Sequence, residues 1–169
     1  MFVVDVESDG PAPGVYSMVC FGVVDYYTKK SFYGQTAPIS LNYIPEALAI
    51  SGFTRLEHEL FAEPLDVMKG LADWLKSFGY SRNQFISDNP AFDFQWMSYY
   101  FALHAMPNPF GYSGRRIGDF FAGASGNWRD QTSWKKLRRT SHTHNPVDDC
   151  MGNVEALEEI GKKFNIKIA

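Results

Sequence analysis

Phe2-Val3-Val4-Asp5-Val6-Glu7 opens the chain and decides how it is read. Phe2-Val3-Val4 is a short apolar run with the β-branched bias of a buried central strand. On a strand, residues two apart share a face, so Asp5 and Glu7 project side by side while Val4 and Val6 point into the opposite layer. Working outward, Gly10–Gly14 (GPAPG) is a turn. Val15–Tyr27, rich in Val, Tyr and Phe, reads as a second strand, and a turn at Thr28–Ser31 leads to a third at Phe32–Gln35. The chain therefore begins as an antiparallel meander.

Helices follow. A short one is expected at Pro45–Ile50, stopped by Ser51-Gly52. A clearer one spans Pro64–Phe78, where Leu65, Met68, Leu71, Leu75 and Phe78 recur at spacings of three and four. Gln84–Ser87 reads as a strand, and Pro90–His104 as a helix with Asn89 as cap and Pro90 at its first position. The Gly-rich stretch 111–126 is expected to hold a strand near Arg116-Ile117 and a short helix after Asp119. A short basic helix is expected at Ser133–Arg139 and a long one at Pro146–Phe164. A meander followed by alternating strands and helices implies an α/β fold, a mixed sheet with helices packed on its faces.

Carboxylates recur at matched positions. Asp88-Asn89-Pro90-Ala91-Phe92-Asp93 and His144-Asn145-Pro146-Val147-Asp148-Asp149 both contain Asn-Pro-x-x-Asp, with a carboxylate just inside a helix start. Helix N-termini favour the ionised form. Either motif alone is ordinary helix-start chemistry. Together with the Asp5/Glu7 strand they supply four carboxylates from three elements, which is the oxygen ligand set that two hard cations need. Two Mg²⁺ or Mn²⁺ ions about 3.5–4 Å apart can act on the attacking and leaving oxygens of a phosphodiester. His144, five residues before Asp149, is placed to serve as a general base near neutral pH, and His142 is a neighbouring candidate for the same part. His58 and His104 lie away from every motif and are expected to be structural or exposed.

Composition bounds the alternatives. The 169 residues fit a single domain, 1–169, with 45% hydrophobic and 21% charged residues. Aromatics reach 16%, enough for a ring-rich core with a few rings left to stack on bases. The net charge of −3 argues against a passive nucleic-acid binder, which is usually basic, but not against an enzyme that reaches phosphates through cations. Cys20 and Cys150 form no CxxC pair, so neither zinc nor a disulfide framework is indicated and a reducing cytoplasm is expected. No leader and no membrane-spanning run is expected.

These motifs, in this order, resemble the DEDD exonuclease superfamily in its histidine (DEDDh, DnaQ-like) branch. Asp5-Val6-Glu7 matches its first motif, Asn89-Pro90-Ala91-Phe92-Asp93 its second, and His144 with Asp149 its third. The tyrosine branch needs a Tyr where Asn145 stands. Pro45–Phe53 (PEALAISGF) is similar to a segment of ribonuclease T that lines the cleft beside the terminal nucleotide, although Ile50 and Pro11 stand where that enzyme has aromatics. The second motif also resembles small bacterial exoribonucleases. The resemblance implies a ribonuclease H-like fold, with a mixed five-stranded sheet flanked by helices, and 3′→5′ exonuclease activity. It implies that Asp5, Glu7 and Asp149 hold one divalent cation, that Asp5 bridges to a second served by Asp93, and that His144 is the base. Ser8, Glu46, Ile50, Asn89 and Phe92 would face the substrate. Single-stranded nucleic acid is the expected substrate, RNA before DNA, with a DNA proofreading or repair exonuclease as runner-up and an inactive binding module on the same fold as a remoter third. The basic cluster Lys135, Lys136, Arg138 and Arg139, beside Trp128 and Trp134, is a solvated helix face or a phosphate-binding patch. The ribonuclease T likeness favours the patch and implies a homodimer in which it serves the partner's site.

Overall fold

The computed structural model describes residues 1–168. A five-stranded sheet of order β3-β2-β1-β4-β5 forms its centre. Strand β1 (Phe2–Ser8) is the middle strand, antiparallel to β2 (Met18–Asp25), which pairs antiparallel with β3 (Ser31–Gln35). On its other side β1 runs parallel to β4 (Phe85–Ser87), and β4 parallel to β5 (Gly114–Arg116). Six α-helices lie around it: α1 (Pro45–Ile50), α2 (Arg55–Glu59), α3 (Pro64–Lys76), α4 (Pro90–Leu103), α5 (Ile117–Ser125) and α6 (Pro146–Phe164). This is the expected mixed sheet of the ribonuclease H-like type.

The alternation along β1 divides the core. Phe2, Val4 and Val6 pack with Met68, Leu71 and Leu75 of α3 and Trp96, Met97 and Tyr100 of α4. Val3 faces the other way, with Ile117 and Phe121 of α5 and Cys150, Val154, Leu157 and Ile160 of α6. Each such side chain, fully buried, contributes about 1.5–3 kcal/mol of transfer free energy. Asp5 and Glu7 continue the Val3 face, so β1 presents its carboxylates beyond the apolar contact with α6.

The departures from expectation have local causes. The second strand starts at Met18, not Val15, because buried Asp9 turns the chain there: Asp9 Oδ1 accepts from Ser17 N at 2.6 Å and Asp9 N donates to Ser17 O. α5 begins at Ile117, ahead of Asp119. The basic helix is a short 3₁₀ helix, Ser133–Leu137, closed by extended backbone at Arg138. The α2 helix was not anticipated, although Thr54 and Glu57 form a reciprocal capping box whose Thr-x-x-Glu signature is in the sequence. Asn145 caps α6 as expected, accepting from Val147 N and Asp148 N, but Asn89 makes no side-chain cap bond. Its ψ of 74° departs from the extended geometry that aims a cap side chain at the helix. Among the described residues no helix is long and apolar enough to cross a membrane.

Candidate active site

The site is assembled where β1 meets the start of α6. One carboxylate oxygen from each of Asp5, Glu7 and Asp149 lies within 4.8 Å of the others. What permits this approach is Gly22, opposite Asp5 on β2. A Cβ at Gly22 would lie 2.4 Å from Pro146 C and 2.6 Å from Val147 N, so only glycine lets the Asn145-Pro146 opening of α6 lie on the sheet. Asp149 is then fixed by the preceding loop, in which Thr143 N and His144 N donate to its two oxygens at 3.1 and 3.0 Å. His144 adopts a left-handed backbone (φ 61°) to make that closure.

Asp93 reaches the same strand from α4. It is buried, and its Oδ1 accepts from Val6 N at 3.2 Å. Burial, then the nearby Asp5 charge, holds its carboxyl well above the ordinary range. Asp5 is pushed up to about 8 by burial first, then by Glu7 and Asp149. Glu7 is raised to about 7 by burial and by Asp149. Asp5 Oδ2 is buried with no hydrogen-bond partner. Carboxylates crowded this way cannot all ionise without a positive charge among them. The donor set is all oxygen and one buried acceptor is vacant. These residues therefore fit divalent cations of the Mg²⁺ or Mn²⁺ kind.

Both histidines of the loop stand at the site. His144 Nδ1 is 3.3 Å from Glu7 Oε1, and His142 Nδ1 is 2.8 Å from Asp149 Oδ1. Sequence spacing separated the two, whereas the loop brings both to the carboxylates. His58, by contrast, is buried on α2, with Nε2 3.3 Å from Met18 O and Nδ1 3.7 Å from Asp9, and His104 is half-buried at the end of α4.

The remaining anticipated residues divide. Glu46 and Ile50 are exposed on α1, which starts beside the end of β1 through the bond from Ile44 N to Asp9 O. Asn89 is exposed and Phe92 half-buried at the start of α4. Ser8 is buried and its Oγ donates to Gly10 O at 2.7 Å, so it shapes the turn and offers no free hydroxyl. The four basic residues do not form one free patch. Arg138 is only 8% exposed, reaches Asp88 at 4.0 Å and Asn153, and lies over the Trp134 ring at 4.8 Å. Lys135 also pairs with Asp88, at 2.6 Å, and Arg139 lies 3.7 Å from both Glu155 and Glu159. Trp134 is in the core and Trp128 is exposed. Arg138 acts inward instead, where its charge partly offsets the upward shift of Asp5. Sequence reasoning missed this counter-charge because nothing in spacing shows which of four adjacent cations turns inside.

No protein-family model matches the chain. Over 160 residues it is 30% identical to the 3′-5′ DNA exonuclease Cap18 of Escherichia coli, covering 92% of this chain and 83% of that protein. The nuclease domain of 3′hExo, a DEDDh family member solved bound to rAMP, superposes with a TM-score of 0.77 at 16% identity, over 99% of this chain and 94% of that one. E. coli exonuclease I in complex with a dA16 oligonucleotide gives 0.68 at 15% identity, over 95% of this chain but 40% of that one. At those identities the solved structures establish the fold, and the 30% relative establishes the kinship. The chain belongs to the DEDDh 3′-5′ exonuclease family, and it is a 3′-5′ exonuclease acting on nucleic acid.

Proposed function

We propose that this chain removes nucleotides one at a time from the 3′ end of single-stranded DNA, with Asp5, Glu7, Asp93 and Asp149 holding two divalent cations and His144 as general base. The observation that carries this reading is the convergence of three carboxylates within 4.8 Å beside a fourth, with Asp5 Oδ2 unpartnered. When bound, such cations supply a polarised water and neutralise charge building on the scissile phosphate. The protein's own part is placement. Asp5 and Glu7 are fixed by the central strand, Asp93 by its bond to Val6 N, and Asp149 by the two loop amides. His144, half exposed and beside Glu7, can take the water's proton on a ring nitrogen and pass it to solvent.

The preference for DNA follows the 30% relative, which is a DNA exonuclease. The RNA reading drawn from the 45–53 segment stands second, supported by Glu46 and Ile50 being exposed beside the end of β1. Substrate beyond the terminal nucleotide would meet Lys136 and Arg139, the more outward of the basic residues, along a shallow cleft that Arg139 shares with Thr140, Ser141 and His142. A homodimer offering that face to the partner's site belongs to the same reading and rests on the ribonuclease T likeness. The test runs matched single-stranded DNA and RNA oligonucleotides with Mg²⁺ or Mn²⁺ and an EDTA control. Mononucleotide release from DNA 3′ ends, faster than from RNA and abolished by EDTA, is the expected result. Faster release from RNA would reverse the substrate order.

A further inference from the structure

The loop ahead of α6 offers two imidazoles where a general base needs one. One ligand atom from each of His142, His144 and Asp149 lies within 4.8 Å of the others. The two rings stand 63° apart with centroids separated by 4.4 Å, and each side chain is about half exposed, at 50% and 48%, so an ion can reach them from solvent. Asp149 is already oriented by two backbone amides, so its position costs nothing further to fix. Mg²⁺ prefers oxygen ligands and keeps several waters. Two imidazole nitrogens and a carboxylate are the donors that zinc-like ions select, at about 2.0–2.2 Å per bond. The 2.8 Å contact between His142 and Asp149 needs to open only modestly to admit such an ion.

We propose that His142, His144 and Asp149 form a second cation site, selective for Zn²⁺-class ions, whose occupation shuts the enzyme off. The shut-off rests on the function proposed above: Asp149 is shared with the carboxylate group and His144 is the base, so an ion held here withdraws both. Binding itself needs only the three side chains.

The test titrates Zn²⁺ calorimetrically, without Mg²⁺, into the wild-type chain, His142→Ala and Asp5→Asn. Loss of an outer-shell partner alone costs about 10–100-fold in metal affinity, so loss of a ligand costs at least that. His142→Ala is expected to bind Zn²⁺ at least tenfold more weakly, while Asp5→Asn keeps the tight site. Because His142 is half exposed, its variant should melt like wild type without metal, and His142→Asn gives a second variant of smaller volume change. Measured against each protein's own Mg²⁺-supported rate, the Zn²⁺ concentration that halves hydrolysis should rise by the same factor in His142→Ala. Equal Zn²⁺ affinity in wild type and both His142 variants, or loss of tight binding in Asp5→Asn, would place the ion on the other carboxylates and overturn the site. Tight His142-dependent binding without inhibition would overturn the shut-off. Failure of the exonuclease reading would appear separately, as no hydrolysis with any cation and an unchanged Zn²⁺ titration.

Discussion

Gly22→Ala is a one-methyl perturbation aimed at the geometry rather than the chemistry of the site. The new Cβ would lie 2.4 Å from Pro146 C, 2.5 Å from Pro146 O and 2.6 Å from Val147 N, where ordinary contact begins at 3.4 Å. Something must retreat by about 1 Å. β2 pairs along its length with β1 and β3, so the sheet resists, and the opening of α6 gives way. Asp149 lies three residues past Pro146 and moves with it. A 1 Å displacement of a catalytic constellation can cost about 10²-fold in rate. Overpacking of this size typically costs about 1–3 kcal/mol of stability, which leaves a folded protein. Gly22→Ala should therefore release mononucleotides about 100-fold more slowly, with the Mn²⁺ midpoint raised and the melt still cooperative. Measured rates and midpoints equal to wild type, in a folded variant, would refute the claim that Gly22 sets the distance between β1 and Asp149.

Further outcomes follow from individual groups. His144→Ala should lose about 10²–10⁴ in rate, as expected for a general base, and His142→Ala little with Mg²⁺; single-turnover kinetics with the two variants would expose the reverse order. Asp5 and Glu7 hold protons up to about 8 and about 7, above their ordinary 3.8 and 4.5, so the folded chain binds more protons than the unfolded one across that window. Their contribution to stability is therefore full near pH 4 and lost as pH rises towards 8. The metal-free melting temperature should fall over that range, less steeply in Asp5→Asn, and Mn²⁺ should raise it more at pH 8 than at pH 5. Neutralising Lys136 and Arg139 should reduce the salt slope of single-strand binding by about 0.7 for each phosphate left without its cation, with dinucleotide cleavage unchanged. An unchanged slope would return these residues to the solvated surface.

Much of the fold was legible because periodicity and punctuation agreed. Pro45–Ile50 and Pro146–Phe164 appear with the expected bounds, each opened by proline at a first position. The side-by-side placement of Asp5 and Glu7 followed from strand alternation, and β1 carries it. What the sequence did not show lies in packing between distant segments. The requirement for glycine at position 22 depends on the backbone of residue 146, and the inward turn of Arg138 depends on Asp88, Asn153 and Trp134. Asp9, just ahead of the Gly10–Gly14 turn, carries no sequence signal of its role, although it is fully buried, accepts from Ser17 N and pairs with Arg55 at 3.2 Å, tying α2 to the end of β1. The histidines show the same limit, since a spacing rule singles out His144 while the loop places His142 against Asp149.

The central claim is that the four carboxylates hold the cations that drive hydrolysis. Counting Mn²⁺ bound per chain by paramagnetic resonance, with a nucleoside 5′-monophosphate present as product, addresses it most directly. Wild type should hold two ions, and Asp149→Asn, folded and otherwise intact, no more than one. Equal Mn²⁺ binding by the two proteins would contradict the account.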